Sequence, residues 1–149
     1  MKIVLSLVTS LMVFAIVGCS PGEDASPISV ADGWIRPAPP GAVASAGYFT
    51  MTNHSASAMQ VTSVRSDDFG RVEVHETRMQ DGAMQMRAVP ALKIAPDTTI
   101  SLAPGGLHLM LFDPRGDVTE LERVRLTLYD GERPIAELDL PVSARNPYE

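Results

Sequence analysis

Cysteine is almost missing from this chain: Cys19 stands alone among 149 residues. A single thiol cannot close an internal disulfide. Histidine is nearly as scarce, with only His54, His75 and His108. No cluster of lysine and arginine occurs, which argues against nucleic acid or anionic lipid as a partner. The acids never pair on one clear strand face at the spacing of an acid/base couple or a metal cage, so hydrolysis has no visible machinery. Long apolar runs are missing too. The longest, Ile3–Val17, is broken by Ser6, Thr9 and Ser10 and is too short to cross a membrane comfortably. There is no internal repeat and no low-complexity tract. No window carries a convincing helical stripe; Val118–Arg125 comes nearest and is short.

What is present begins with a sorting signal. Lys2 and the apolar run after it read as the two opening regions of a secretory signal over residues 1–18. The run ends Ile16-Val17-Gly18-Cys19, which resembles the bacterial lipobox, with Cys19 becoming the acylated N-terminus. Ser20 follows in place of aspartate, which predicts an outer-membrane anchor on the periplasmic side. Residues 19–27 are small and polar, a flexible tether between lipid and domain. About 130 residues remain after cleavage, enough for one domain with a real core. The 12 basic residues lose Lys2 and the 18 acidic ones lose none, so the net charge moves from −6 to −7.

Across residues 28–143, short alternating or β-branched segments recur between Pro, Gly, Asp and Asn. We read strands at Ile28–Ile35, Gly47–Thr52, Met59–Ser66, Val72–Met79, Ala83–Val89, Thr98–Leu102, Leu107–Phe112, Val124–Tyr129 and Ile135–Val142. Short strands at this spacing predict an all-β single domain, a sandwich or Greek-key barrel, with residues 144–149 as a short tail. Trp34 is assigned to the core and His54 to a solvated turn. Gly105-Gly106 is read as a turn that aims the strand after it, since no helix start follows to cradle a phosphate.

Three pieces of these strands carry metal-binding chemistry: His75, the pair Met84/Met86, and His108-Leu109-Met110. Each lies in an alternating segment, so residues two apart share a face. Asp81-Gly82 is a strong signal for a two-residue hairpin turn. That turn sets Gln80 opposite Ala83, Met79 opposite Met84, Thr77 opposite Met86 and His75 opposite Ala88. His75, Thr77, Met79, Met84 and Met86 then share one surface, with His75 and Met86 as diagonal neighbours. A slip of one residue would undo the arrangement. In Leu107–Phe112, His108 and Met110 share a face while Leu107, Leu109 and Leu111 fill the other. Imidazole with thioether is a soft, neutral donor set that suits Cu(I) far better than zinc, magnesium or calcium.

With these residues in view, the chain resembles the periplasmic copper chaperones of the PCu(A)C family. His75, ten residues, Met86, twenty-one residues, His108, one residue, Met110 follows that family's signature. Trp34-Ile35-Arg36-Pro37, Ala46-Gly47-Tyr48-Phe49, the stretch Met79–Arg87 and the stretch Leu102–Leu111 carry the resemblance further, from about residue 30 to residue 142. It implies a cupredoxin-like β-sandwich and one Cu(I) held by His75, Met86, His108 and Met110. It also implies delivery of copper to cytochrome c oxidase assembly. Some members of the family add a His/Met-rich C-terminal extension for Cu(II). Ser143–Glu149 contains no such residues, so a second site of that kind is not expected. Met79 and Met84 stand open between a place beside the copper and simple packing.

This chemistry fits a carrier better than a catalyst. Methionine sulfur needs no deprotonation and cannot be lost to a disulfide, although it can be oxidised to sulfoxide. Blue-copper electron transfer needs a thiolate, which is absent from the donor set. We expect a monomer that is not an enzyme and has no small-molecule substrate. Its partner would be a copper-accepting protein, either an oxidase subunit or a thiol-containing assembly factor, and its lipid would hold it at the membrane. The alternatives are copper storage, resistance or delivery to another cuproenzyme, and a metal-free interaction sandwich.

Overall fold

The computed structural model describes residues 26–148, so the signal, Cys19 and most of the tether lie outside the described residues. The alternating segments become eleven strands. They are β1 Ile28–Arg36, β2 Ala44–Asn53, β3 Met59–Val61, β4 Ser63–Arg65, β5 Phe69–Gln80, β6 Ala83–Ala88, β7 Leu92–Ile94, β8 Thr98–Leu102, β9 Leu107–Pro114, β10 Arg123–Asp130 and β11 Arg133–Pro141. Nine form one sheet in the order β1-β2-β9-β5-β4-β10-β11, with β6 paired to β5 and β8 to β2. β3 and β7 pair by themselves. The two ends of the long sheet meet: Ile35 bridges Val142, and the Ser143 N–H donates to the Ile35 carbonyl at 2.9 Å. The sheet is therefore nearly a closed barrel, from which β6 and β8 branch as side strands with one partner each.

The two-residue period of each strand decides which side chains fill the interior. Phe49 and Met51 of β2, Val72 and Val74 of β5, Leu109 and Leu111 of β9, and Leu126 and Leu128 of β10 are buried in one cluster. Burying a side chain of this size stabilises by roughly 1.5–3 kcal/mol. Their chain neighbours His75, His108 and Met110 lie on the other face. In β1 a bulge between Ala31 and Trp34, with Asp32 at φ 52°, turns Trp34 onto that same face opposite Tyr48. Trp34 is buried as expected, but against the Tyr48 ring (centroids 4.9 Å apart) and outside the main cluster.

Each expected segment contains a strand, with three differences. Met59–Ser66 is two strands. The Thr62 N–H and hydroxyl both donate to the Tyr129 carbonyl, at 2.8 and 3.1 Å, and this anchor sends β3 toward β7 and β4 toward β10 and β5. β7 escaped notice because three residues between Pro90 and Pro96 make too short a pattern, although Leu92 and Ile94 are buried and Lys93 is exposed. Val118–Arg125 forms only a turn of 3-10 helix at Val118–Glu120, capped by Asp117, before β10 begins. The tail turns back on β1, where the Tyr148 hydroxyl donates to the Gly33 carbonyl at 3.1 Å.

Candidate metal centre

β5 is the central strand of the site. The Asp81-Gly82 turn folds as expected, with both residues in the left-handed region (φ 52° and 77°). The register it sets is Gln80 to Ala83, Met79 to Met84, Thr77 to Met86 and His75 to Ala88. On its other side β5 meets β9, with His75 opposite His108 and Glu73 opposite Met110. His75, Met86, His108 and Met110 thus share one face, each partner within two positions of His75 along β5: His108 opposite it, Met86 opposite Thr77 and Met110 opposite Glu73. The two imidazole centroids are 6.2 Å apart and the rings are tilted by 47°. His108 is buried (5% exposed), and the His75 side chain is 15% exposed. Met110 is half-buried and Met86 exposed.

The hydrogen bonds of the rings determine which nitrogens remain free. His108 Nδ1 lies 3.0 Å from the Gly106 carbonyl oxygen. A carbonyl can only accept, so Nδ1 carries the proton and the Nε2 lone pair is left available. His75 Nε2 lies 2.8 Å from Glu73 Oε2. A carboxylate likewise accepts, so in the neutral ring the free lone pair is on Nδ1. That His75 Nδ1 is buried and has no hydrogen-bond partner. Leaving such an atom unpaired costs about 1–3 kcal/mol, a cost that a bound cation would remove. The donor set therefore fits a soft metal ion: two oriented neutral imidazole nitrogens with thioethers beside them.

Glu73 is itself held in place. Its carboxyl lies below the usual carboxylate range because His75, and then Arg71, hydrogen-bond to it. Arg71 Nη1 is 2.5 Å from Glu73 Oε1, and its guanidinium sits 4.0 Å over the Phe112 ring. Phe112, Arg71, Glu73 and His75 thus form a supporting chain across β9 and β5. Sequence reasoning missed Glu73 and Arg71; their spacing two and four before His75, on the same strand face, was the available signal. Gly105 (φ 82°) turns the chain into β9, as expected, and puts the Gly106 carbonyl where His108 Nδ1 and the Thr77 N–H both reach it.

Met79 and Met84 are paired at the far end of the hairpin and exposed, not packed into the core. His54 is exposed and shares a 2.7 Å hydrogen bond with Ser29. Among the described residues, no three His, Cys, Asp or Glu side chains form a group able to hold a metal ion.

The architecture is that of PCuAC domains, a cupredoxin-like β fold. The copper-bound PCuAC domain from PmoF2 matches with a TM-score of 0.64 at 22% identity, covering 80% of this chain and 94% of that one. The Cu(I) form of DR1885 from Deinococcus radiodurans matches with a TM-score of 0.62 at 23% identity, covering 84% of each. Likeness at this identity bears on the fold, and there it bears out the resemblance seen in sequence. By sequence, protein RP573 of Rickettsia prowazekii is 30% identical over 106 residues, 70% of this chain; the match spans 58% of that relative's length. The profile described as "Putative lipoprotein LpqE-like" matches residues 28–142. The chain belongs to the LpqE-like family. No helix among the described residues is long and apolar enough to cross a membrane.

Proposed function

We propose that this protein is a periplasmic Cu(I) carrier in which His75 Nδ1, His108 Nε2 and the sulfurs of Met86 and Met110 hold one ion. The observation that carries the reading is the buried, partnerless His75 Nδ1, in a ring paired across the sheet with His108. The shared fold with PCuAC domains that bind copper supports it. Copper is cargo here. Four neutral donors match a soft monovalent ion, and no group in the shell needs to lose a proton to bind it. Met86, 53% exposed, leaves one side of the shell open to an acceptor's ligand.

The protein acts without catalysis, and its client is the assembly of a cuproenzyme, first the binuclear copper centre of cytochrome c oxidase. Acylated Cys19 holds it to the membrane, the outer one given Ser20. The family's lipoprotein description supports the anchor. Competition of the apo protein against a Cu(I) chelator tests the site: one ion per chain is expected, with binding strongly weakened in His108→Ala. Unchanged affinity in that variant would overturn the assignment, and no Cu(I) binding by the wild type would leave a metal-free interaction domain. Oxidase copper loading under copper limitation, in a strain lacking the protein, tests the client. Full loading together with lowered copper tolerance would point to storage or resistance. Cys19→Ser should release the protein from the membrane pellet with its copper binding intact.

A further inference from the structure

Among the described residues, the large apolar side chains left exposed are Val43, Tyr148 and three methionines of one hairpin. Those three are Met79 at 66%, Met84 at 72% and Met86 at 53% exposure. Scattered apolar residues on a surface are ordinary; three thioethers gathered on one face of one hairpin are not explained by packing. Elsewhere the chain uses methionine differently, with Met51 and Met59 buried in the core cluster. The hairpin covers nothing with β6, every residue of which is exposed. Met79 stands directly opposite Met84, and Met86 is the next residue on the same face, opposite Thr77. Side chains directly opposite have Cβ atoms about 4.5–5.5 Å apart and diagonal neighbours lie about 7–8 Å apart, distances that unbranched methionine side chains span.

We propose that Met79, Met84 and Met86 form a second, surface Cu(I) site, built only of thioethers, which captures the ion and passes it through Met86 to His75 and His108. The proposal rests on the reading of this protein as a Cu(I) carrier. Met86 is the member common to both sites, because its cross-strand partner Thr77 lies two residues from Met79 and two from His75. The transfer is a ligand exchange. A copper–sulfur bond to Met79 or Met84 breaks as a copper–nitrogen bond to a free imidazole lone pair forms. Copper stays Cu(I), no electron moves, and no proton is released, since neither thioether sulfur nor the free ring nitrogen carries one.

Methyl NMR of the intact chain with Ag(I), a closed-shell stand-in for Cu(I), tests this. In His75→Ala/His108→Ala, Ag(I) should shift the methyl signals of Met79 and Met84 along with that of Met86. If Met79 and Met84 stay unmoved while the wild type still loads its histidines, the surface site is overturned and the carrier reading stands. If neither the histidines nor Met110 of the wild type respond to Ag(I) or Cu(I), the carrier reading itself falls, and the proposal with it. Replacing two histidines in the sheet can cost the fold, so a second arm alters exposed positions only. Met79→Leu/Met84→Leu keeps the apolar bulk and removes the sulfur. This variant should take Cu(I) from a weak chelator several-fold more slowly than the wild type and reach the same final occupancy; an equal rate would overturn the proposal.

Discussion

The two halves of β5 differ as a clamp differs from a finger. At His75 the strand is flanked by β9 and β6, and its core-side neighbour Val74 packs in one cluster with Leu109 and Leu111. Beyond Thr77 it pairs with β6 alone, and Met79 of β5 with Met84 and Met86 of β6 reach into solvent. The histidines are therefore oriented before any metal arrives, with one nitrogen of each ring already committed to Glu73 or Gly106. The methionines are exposed and not held by packing, so binding an ion there would cost ordering entropy, up to about 1.5–2 kcal/mol for a long side chain. The proposed Cu(I) carrier would need both properties. In the proposed carrier, the core-backed half would confer selectivity and affinity, and the exposed half would let ligands exchange without opening the fold.

The contrast is broken most forcefully from behind. Leu111→Ala should cost about 2–5 kcal/mol of stability in chemical denaturation, while Met84→Ala stays within about 0.5 kcal/mol of wild type. A similar loss at both positions would erase the distinction between core-backed strand and free hairpin. Glu73→Ala sharpens it next: freeing the His75 ring should weaken Cu(I) binding by about 10–100-fold in chelator competition, with little change in the apo melting temperature. Unchanged affinity would mean that burial alone positions the ring.

On the finger, Gly82→Ala forces an L-residue into the left-handed region at φ 77°, at about 1–2 kcal/mol. Amide exchange in β6 should accelerate while β9 and β10 keep their protection. The smallest effect belongs to Glu76, on the opposite face of the hairpin. Arg78, 2.7 Å away, and after it Arg87 hydrogen-bond to its carboxyl and hold it below the ordinary value of 4.5. A folded value below the unfolded one stabilises above pH 4.5, and that stabilisation is lost as the pH falls through the folded value. Glu76→Gln should therefore melt slightly below wild type at neutral pH and converge with it in acid.

Much of this was legible along the chain. The Asp81-Gly82 turn carries its own geometry, so the register that puts Met79, Met84 and Met86 on the face of His75 could be written down residue by residue. Leu107, Leu109 and Leu111 marked the inner face of β9 and thereby placed His108 and Met110 on the outer one. The division of Met59–Ser66 could not be read, because the hydrogen bonds at Thr62 come from Tyr129, far along the chain. The same holds for Trp34, whose face depends on a one-residue bulge.

The sequence by itself determined the kinds of donor, the face of each strand they occupy and the local hairpin, since side-chain periodicity and turn conformation are properties of neighbouring residues. Only the tertiary structure decided that β5 lies beside β9, so that His75 meets His108, and that Glu73 and Gly106 each occupy one ring nitrogen. Which strands become neighbours is settled when the leucine and valine faces of distant segments are buried together and the sheet closes on itself. That choice lowers the free energy of the whole domain and leaves no mark in any short stretch of sequence.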